Sequence, residues 1–267
     1  MDRSIASLDG RTAIVTGSGQ GIGKGLAMGM AAFGANIVVV DRNAETANAT
    51  AKELEGYGVK TMASVTNVRK PDEVKAMVKA AMARFGRIDI LINNVGGGFT
   101  AEFMDLSEKG WDTLIDANLK SVFLCTRAAA EEMIKGKRGG SIIQVTSIEA
   151  FRAAPGWSVY SACKAGMENF TKTLSLELSH HKIRVNSIAP GHIITPGVPN
   201  SGDSEEFFWK TIPLGRAGTI EDMAGTAVFL ASDMSAYLTG ITIHVDGGMK
   251  ASGGHWNRTP DNHWTAR

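Results

Sequence analysis

The 267-residue sequence predicts an α/β fold: a single domain with a doubly wound parallel sheet of seven strands and helices on both faces. Three observations lead there. Short apolar runs alternate with amphipathic stretches almost from end to end. A glycine-rich turn joins the first apolar run to the first helical stretch. No repeat, low-complexity run or long linker divides residues 1–267.

In chain order, the first strand is expected at Thr12–Thr16 and runs straight into Gly17-Ser18-Gly19-Gln20-Gly21-Ile22-Gly23. The second, Asn36–Val40, ends beside Asp41 and Arg42, and the third, Lys60–Ser64, precedes Asn67 and Val68. Val74, Met77, Val78, Ala81 and Phe85 then recur every three or four positions, the spacing of an amphipathic helix. The fourth strand, Ile88–Asn93, leads to Asn94-Val95-Gly96, and the fifth, Gly140–Thr146, leads to Ser147. A helical stretch over Ser161–Leu178 follows, then strands at Arg184–Ile188 and Thr242–Val245. Right-handed crossovers restrict this alternation to a doubly wound sheet.

Two stretches leave the rhythm. Residues 190–218 are rich in Pro, Gly and Ser and hold Phe207-Phe208-Trp209, so they are read as a substrate loop. Residues 250–267 form a tail with His255, Trp256, His263 and Trp264. A loose tail is the simplest reading; packing against a neighbouring subunit is the one preferred.

Several function classes are excluded early. Lys and Arg number 28 against 27 Asp and Glu, a formal net charge of +1, which does not suit a protein that grips nucleic acid. Apolar runs such as Ile37–Val40 are strand-length, too short for a bilayer. Met1–Gly10 is polar with no export core, so a cytoplasmic enzyme is expected. Cys125 and Cys163 are too few for a disulfide framework or zinc cage, and His255 and His263 lack partner ligands, so no metal site is expected.

The glycine turn, placed after a first strand and before a helix, suits the pyrophosphate of a dinucleotide and makes the fold Rossmann-type. Ile22 stands where the usual third glycine falls; Thr16-Gly17-x-x-x-Gly21-x-Gly23 is the spacing that fits. Asp41 can accept bonds from ribose hydroxyls and repel a 2′-phosphate, so NAD is the expected cofactor and NADP the weaker alternative, through Arg42. Tyr160 and Lys164 stand four apart and share a helix face. A neighbouring ammonium favours phenolate, which equips a tyrosine to exchange a proton while hydride moves at carbon. Ser147 stands at the carboxyl end of its strand, where open α/β sheets hold ligands.

Together these residues resemble the short-chain dehydrogenase/reductase family from about Leu8 to Gly248: Thr16-Gly17-x-x-x-Gly21-x-Gly23, Asp41, Asn93-Asn94-x-Gly96, Asn118, Ser147, Tyr160-x-x-x-Lys164, Pro190-Gly191 and Val245-Asp246-Gly247-Gly248. The resemblance implies Tyr160 as acid/base, Lys164 lowering its pKa and holding the nicotinamide ribose, Ser147 orienting the substrate oxygen and Asn118 holding a relay water. It implies Asn93 near the adenosine, Ile193 and Thr195 at the nicotinamide half, and a homotetramer. Val95 and Asn67 depart from the usual alanine and aspartate; Asn67 keeps a carbonyl but loses the charge.

The substrate pocket is expected from Gly97, Gly98, Phe99, Ile148, Glu149, Phe151, Trp157 and His192, with Phe207, Phe208 and Trp209 as a lid. That apolar set suggests an alicyclic or steroid-like alcohol or ketone. Three other readings stand beside it. Glu149 facing the pocket would suit a polyol or sugar acid. Lys135, Lys137 and Arg138 would suit an acidic acyl carrier and NADPH-dependent reduction of 3-oxoacyl thioesters, although Leu176 precedes Glu177 where carrier reductases often have a base. A non-catalytic NAD-sensing protein is the fourth, and retention of Asn118, Ser147, Tyr160 and Lys164 argues against it.

Overall fold

The computed structural model describes residues 2–197, 210–253, 256–259 and 263–266. The sheet is parallel, in the order β3-β2-β1-β4-β5-β6-β7, with β1 Thr12–Thr16, β2 Asn36–Asp41, β3 Thr61–Val65, β4 Ile90–Asn93, β5 Gly140–Val145, β6 Ile183–Pro190 and β7 Thr242–Val245. β1 and β4 are buried at every position, because helices cover both faces and leave no solvent side to alternate with.

The helices are α1 Gly21–Ala32, α2 Ala44–Leu54, α3 Pro71–Phe85, α4 Glu108–Ile115, α5 Ser121–Gly136, α6 Ser158–Glu177 and α7 Ile220–Ala231. Leu26 and Met30 of α1 pack with Leu230 of α7 against Val39 and Ile92 on one face of the sheet. Val74, Met77 and Val78 of α3 pack with Met133 of α5 against Leu91 and Ile142 on the other. The periodic positions are therefore the buried ones. α3 starts with Pro71, whose missing N–H is no loss there, and stops at Gly86 in the left-handed region, φ +71°.

The chain winds outward from β1 through β2 to β3, then returns to place β4 on the other side of β1. That reversal opens a crevice at the carboxyl edge of the sheet. Differences from the sequence reading lie at element ends. β4 begins at Ile90 because the side chain of Asp89 turns back to accept from the Thr12 amide and from Arg87. α6 begins three residues early, at Ser158, which takes Tyr160 into its first turn. The tail is not loose throughout: Trp256–Arg258 and Trp264–Ala266 pair as an antiparallel hairpin, β8 and β9. Phe207, Phe208, Trp209 and His255 lie outside the described residues. Among the described residues no helix is long and apolar enough to cross a membrane, and no cluster of three metal-ligating side chains forms.

Candidate active site

The crevice is a cleft of about 550 Å³ running from Gly17, Gln20 and Gly21 past Asp41, Arg42, Asn67 and Val68 to Val95, Gly96, Gly97, Phe99 and Thr195. The first turn is built for close approach. Gly17 and Gly21 have φ of +66° and +58°, a region that costs other residues strain. At Gly23 a Cβ would strike the Gly17 carbonyl, so the third motif position serves strand–helix contact. α1 starts with no acidic residue in its first turn and no side-chain cap from Gln20. Its first amides, including that of Ile22, and its positive dipole end are left for an anion, and this fits a dinucleotide pyrophosphate.

Several expected cofactor contacts are engaged within the protein instead. Ser18 is fully buried; its hydroxyl donates to Val15 O at 2.6 Å and its amide to Val40 O at 3.1 Å, so it clips the turn to β2. The Asn93 amide turns inward to Thr126 Oγ1 at 2.9 Å. Its neighbour Asn94, quoted in the motif but given no role by the sequence reading, faces the cleft and donates to the Thr16 and Gly17 carbonyls at 3.0 and 3.2 Å. Only tertiary proximity distinguishes these two adjacent asparagines. Asn67 Oδ1 accepts from the Arg69 amide at 3.1 Å, and Arg69, also not anticipated, lines the cleft. Asp41 lines it too, but its two oxygens accept from the Gly19 and Asn43 amides, both at 3.1 Å. Arg42 beside it is exposed.

At the other end four side chains converge. Asn118 lies in a π-turn, Asp116–Lys120, where the extra residue breaks the regular ladder between α4 and α5. Fully buried, it donates to Gly97 O at 2.8 Å and Leu114 O at 2.9 Å and accepts from the Gly97 amide at 2.9 Å. Lys164 is 2% exposed, donates to Val145 O at 2.8 Å, and stands 5.5 Å from the Tyr160 ring centre. A Cβ on Gly96 would come within 2.9 Å of both Asn118 Oδ1 and Lys164 Nζ, so any larger residue there would displace one of the two.

Burial pushes the Tyr160 phenol above its ordinary pKa; a hydrogen bond with Ser147 pulls the other way, and the Glu149 carboxylate adds to the rise. Burial pushes the Lys164 ammonium down to about 8, opposed by Cys163 and Glu168. The protein alone thus holds Tyr160 as a neutral acid beside a readily titrated lysine. That arrangement can donate a proton to a carbonyl oxygen or accept one from an alcohol.

Around Tyr160 the walls are apolar. Phe99, Leu114, Trp157 and Val159 adjoin it, with the Trp157 ring edge-on at 5.5 Å. Ile148 is buried under the 3-10 turn that Ser147 caps. Pro190 ends β6, and the Gly191 amide donates to Val245 O at 3.0 Å, which leads Ile193 and Thr195 back toward Gly21. His192 lies apart, in a second pocket with His244 and Asp246. Glu149 is not a free substrate ligand, because Arg152 pairs with it at 2.7 Å. Lys135, Lys137 and Arg138 lie at the turn into β5, the amino edge of the sheet, away from the cleft mouth of their own chain.

A family model described as enoyl-(acyl carrier protein) reductase matches residues 17–250. A curated 3-oxoacyl-[acyl-carrier-protein] reductase of Staphylococcus epidermidis is 41% identical over 90% of this chain and 98% of that protein. A 7α-hydroxysteroid dehydrogenase, solved with NADH and 7-oxo glycochenodeoxycholic acid, superposes with a TM-score of 0.89 at 32% identity, covering 93% of this chain and 97% of that one. A gluconate 5-dehydrogenase of Burkholderia cenocepacia, solved with NADP and tartrate, gives 0.87 at 35%, covering 93% and 98%. The expectation of NAD is thereby corrected. The curated relatives are 3-oxoacyl carrier reductases and favour NADP. Beside Asp41, whose oxygens accept from two backbone amides, the exposed Arg42 lines the same cleft and is a cation suited to a 2′-phosphate. The same relatives support the acyl reductase reading better than the steroid one. The chain belongs to the short-chain dehydrogenase/reductase family and is an NAD(P)-dependent oxidoreductase acting on CH–OH groups and ketones.

Proposed function

We propose that the protein reduces 3-oxoacyl thioesters to 3-hydroxyacyl thioesters with NADPH. The observation that carries this reading is the 41% identity to a 3-oxoacyl carrier reductase over nearly its full length. The neutral Tyr160 phenol, the form a reductase needs at the start of turnover, supports it.

In this reading the bound nicotinamide supplies the hydride. The Ser147 hydroxyl and the Tyr160 phenol bind the 3-oxo oxygen, and Tyr160 releases its proton to that oxygen as the carbonyl carbon is reduced. The Lys164 ammonium stabilises the phenolate left behind. Asn118, fixed on the Gly97 backbone, holds the chain of groups that returns a proton to Tyr160. Phe99, Leu114 and Trp157 form the apolar wall beside Tyr160 that keeps water from the reacting carbonyl. Gly17, Gln20, Gly21, Ile22 and Gly23 form the pyrophosphate cradle, and Arg42 takes the 2′-phosphate. We further assign a cytoplasmic homotetramer.

A second reading, an alicyclic or steroid-like ketone, draws on the same apolar walls and on the likeness to the hydroxysteroid dehydrogenase. One assay separates them: NADPH oxidation with acetoacetyl-coenzyme A, an acetoacetyl carrier protein, a 7-oxo steroid and 5-oxogluconate. Preference for the thioesters by at least about tenfold in kcat/KM, roughly 1.4 kcal/mol, supports the first reading. Turnover of the steroid alone replaces it.

A further inference from the structure

Arg69 lines the cofactor cleft, and none of the steps assigned to the other residues uses it. It stands in the turn after β3, beside the end of β2, where Asp41 pairs in register with Val65 and its carbonyl accepts from the Thr66 amide at 2.9 Å. In an open α/β sheet of this kind the end of the second strand holds the adenosine ribose. The base carried by that ribose then meets the turn after β3, with Thr113 and Ala117 on the facing wall of the cleft. A purine presents flat faces, and its binding is favoured where a flat group lies against one of them. Among the described residues Phe99 is the one aromatic side chain lining the cleft, and it adjoins Tyr160 at the opposite end.

Asn67 is largely committed to folding the turn. Its amide donates to Glu73 Oε2 at 2.7 Å, its carbonyl accepts from the Lys70 amide at 2.9 Å, and its Oδ1 accepts from the Arg69 amide at 3.1 Å. Arg69 is the reverse case. That last bond fixes its backbone, while its guanidinium makes no hydrogen bond among the described residues, and the side chain is 37% exposed. Nη2 stands 3.9 Å from Asp116 Oδ2, and the other oxygen of Asp116 accepts from Lys120 at 3.0 Å. This loose ion pair draws the guanidinium toward the π-turn without using up its donors or its faces. Arg42, exposed beside Asp41, has no such anchor among the described residues.

We propose that Arg69 is the adenine-binding residue of the cleft, its planar guanidinium stacking on the base. This role requires a dinucleotide cofactor, but neither a preference for NADPH nor a thioester substrate.

The test is isothermal titration calorimetry of the whole protein, without substrate, against NADPH, NADH and ADP. Arg69→Ala should weaken all of them by a similar factor, about five- to tenfold, because each carries adenine. Arg69→Lys keeps the charge but not the plane, so it should recover little of that loss. Arg42→Ala provides the contrast, with a loss confined to NADPH. Because the ion pair to Asp116 is loose, the melting temperature of Arg69→Ala without cofactor should fall by no more than about 2 °C. Any of three results overturns the proposal. A loss confined to NADPH would make Arg69 a ligand of the 2′-phosphate. A loss restored by lysine would leave a charge acting on the phosphates. Unchanged affinities would leave Arg69 as a tie between the turn and the π-turn. Since no substrate enters the titration, its outcome is independent of whether thioesters or steroids are reduced.

Discussion

That Tyr160 and Lys164 share a helix face could be read from their spacing, since residues four apart do so in any surroundings, and their expected role came from the company of Ser147 and Asn118. Their protonation could not, because it depends on how deeply α6 sinks against β5 and on the Ser147 bond. Tyr160→Phe should lower kcat by about 10²–10⁴ with little change in cofactor affinity, read by stopped-flow and by fluorescence titration of NADPH. Wild-type reduction should decline on the alkaline side as pH rises past about 8, where the Lys164 ammonium is lost; a flat profile to pH 10 would remove the charged lysine from the mechanism. Asp41 shows the limit of reading residues singly. A carboxylate after β2 suggests repulsion of phosphate, yet Arg42 beside it is exposed and lines the same cleft. Arg42→Ala should therefore raise KM for NADPH about tenfold, a loss of roughly 1.4 kcal/mol, and leave KM for NADH nearly unchanged.

Elements were legible where their cause is local. The 3.6-residue period of Val74, Met77, Val78 and Ala81 is the buried face of α3, and Pro71 and Gly86 mark its ends. The π-turn at Asn118 was not legible, because what stabilises it is a pair of bonds to Gly97, twenty-one residues away. Gly23→Ala tests the first element contact: the added methyl meets the Gly17 carbonyl, so cofactor binding should weaken and stability fall by about 1–3 kcal/mol. At α7, Thr219 and Asp222 form a capping box, and Arg216 pairs with Asp222 at 2.6 Å. The side-chain bond from Arg216, then that from the Thr219 amide, hold the Asp222 carboxyl down to about 2, against an ordinary 3.8. A depressed carboxyl contributes stability above its unfolded value and loses it as pH falls from there to the folded value. Asp222→Asn should thus lower the melting temperature at pH 7 by a few degrees, about 1 kcal/mol, and the deficit should close between pH 4 and 2.

At the scale of the molecule, the proposed homotetramer would draw on the hairpin of the tail and on the exposed aromatics Trp111 and Phe123 of α4 and α5. Removing the residues after Lys250 should change the mass found by light scattering or raise the Michaelis constant; neither change would exclude the tail from assembly and site. By itself the sequence determined the fold class, the approximate strand positions, the glycine cradle and the Tyr160–Lys164 spacing. Each of these follows from periodicity, from backbone freedom or from a fixed helical repeat, all local properties. Tertiary structure decided which asparagine faces the cleft, which side chains are already engaged by backbone amides, and where charge is desolvated. Those depend on segments far apart in the chain meeting at the β1–β4 reversal, and no local pattern records the partner that arrives there.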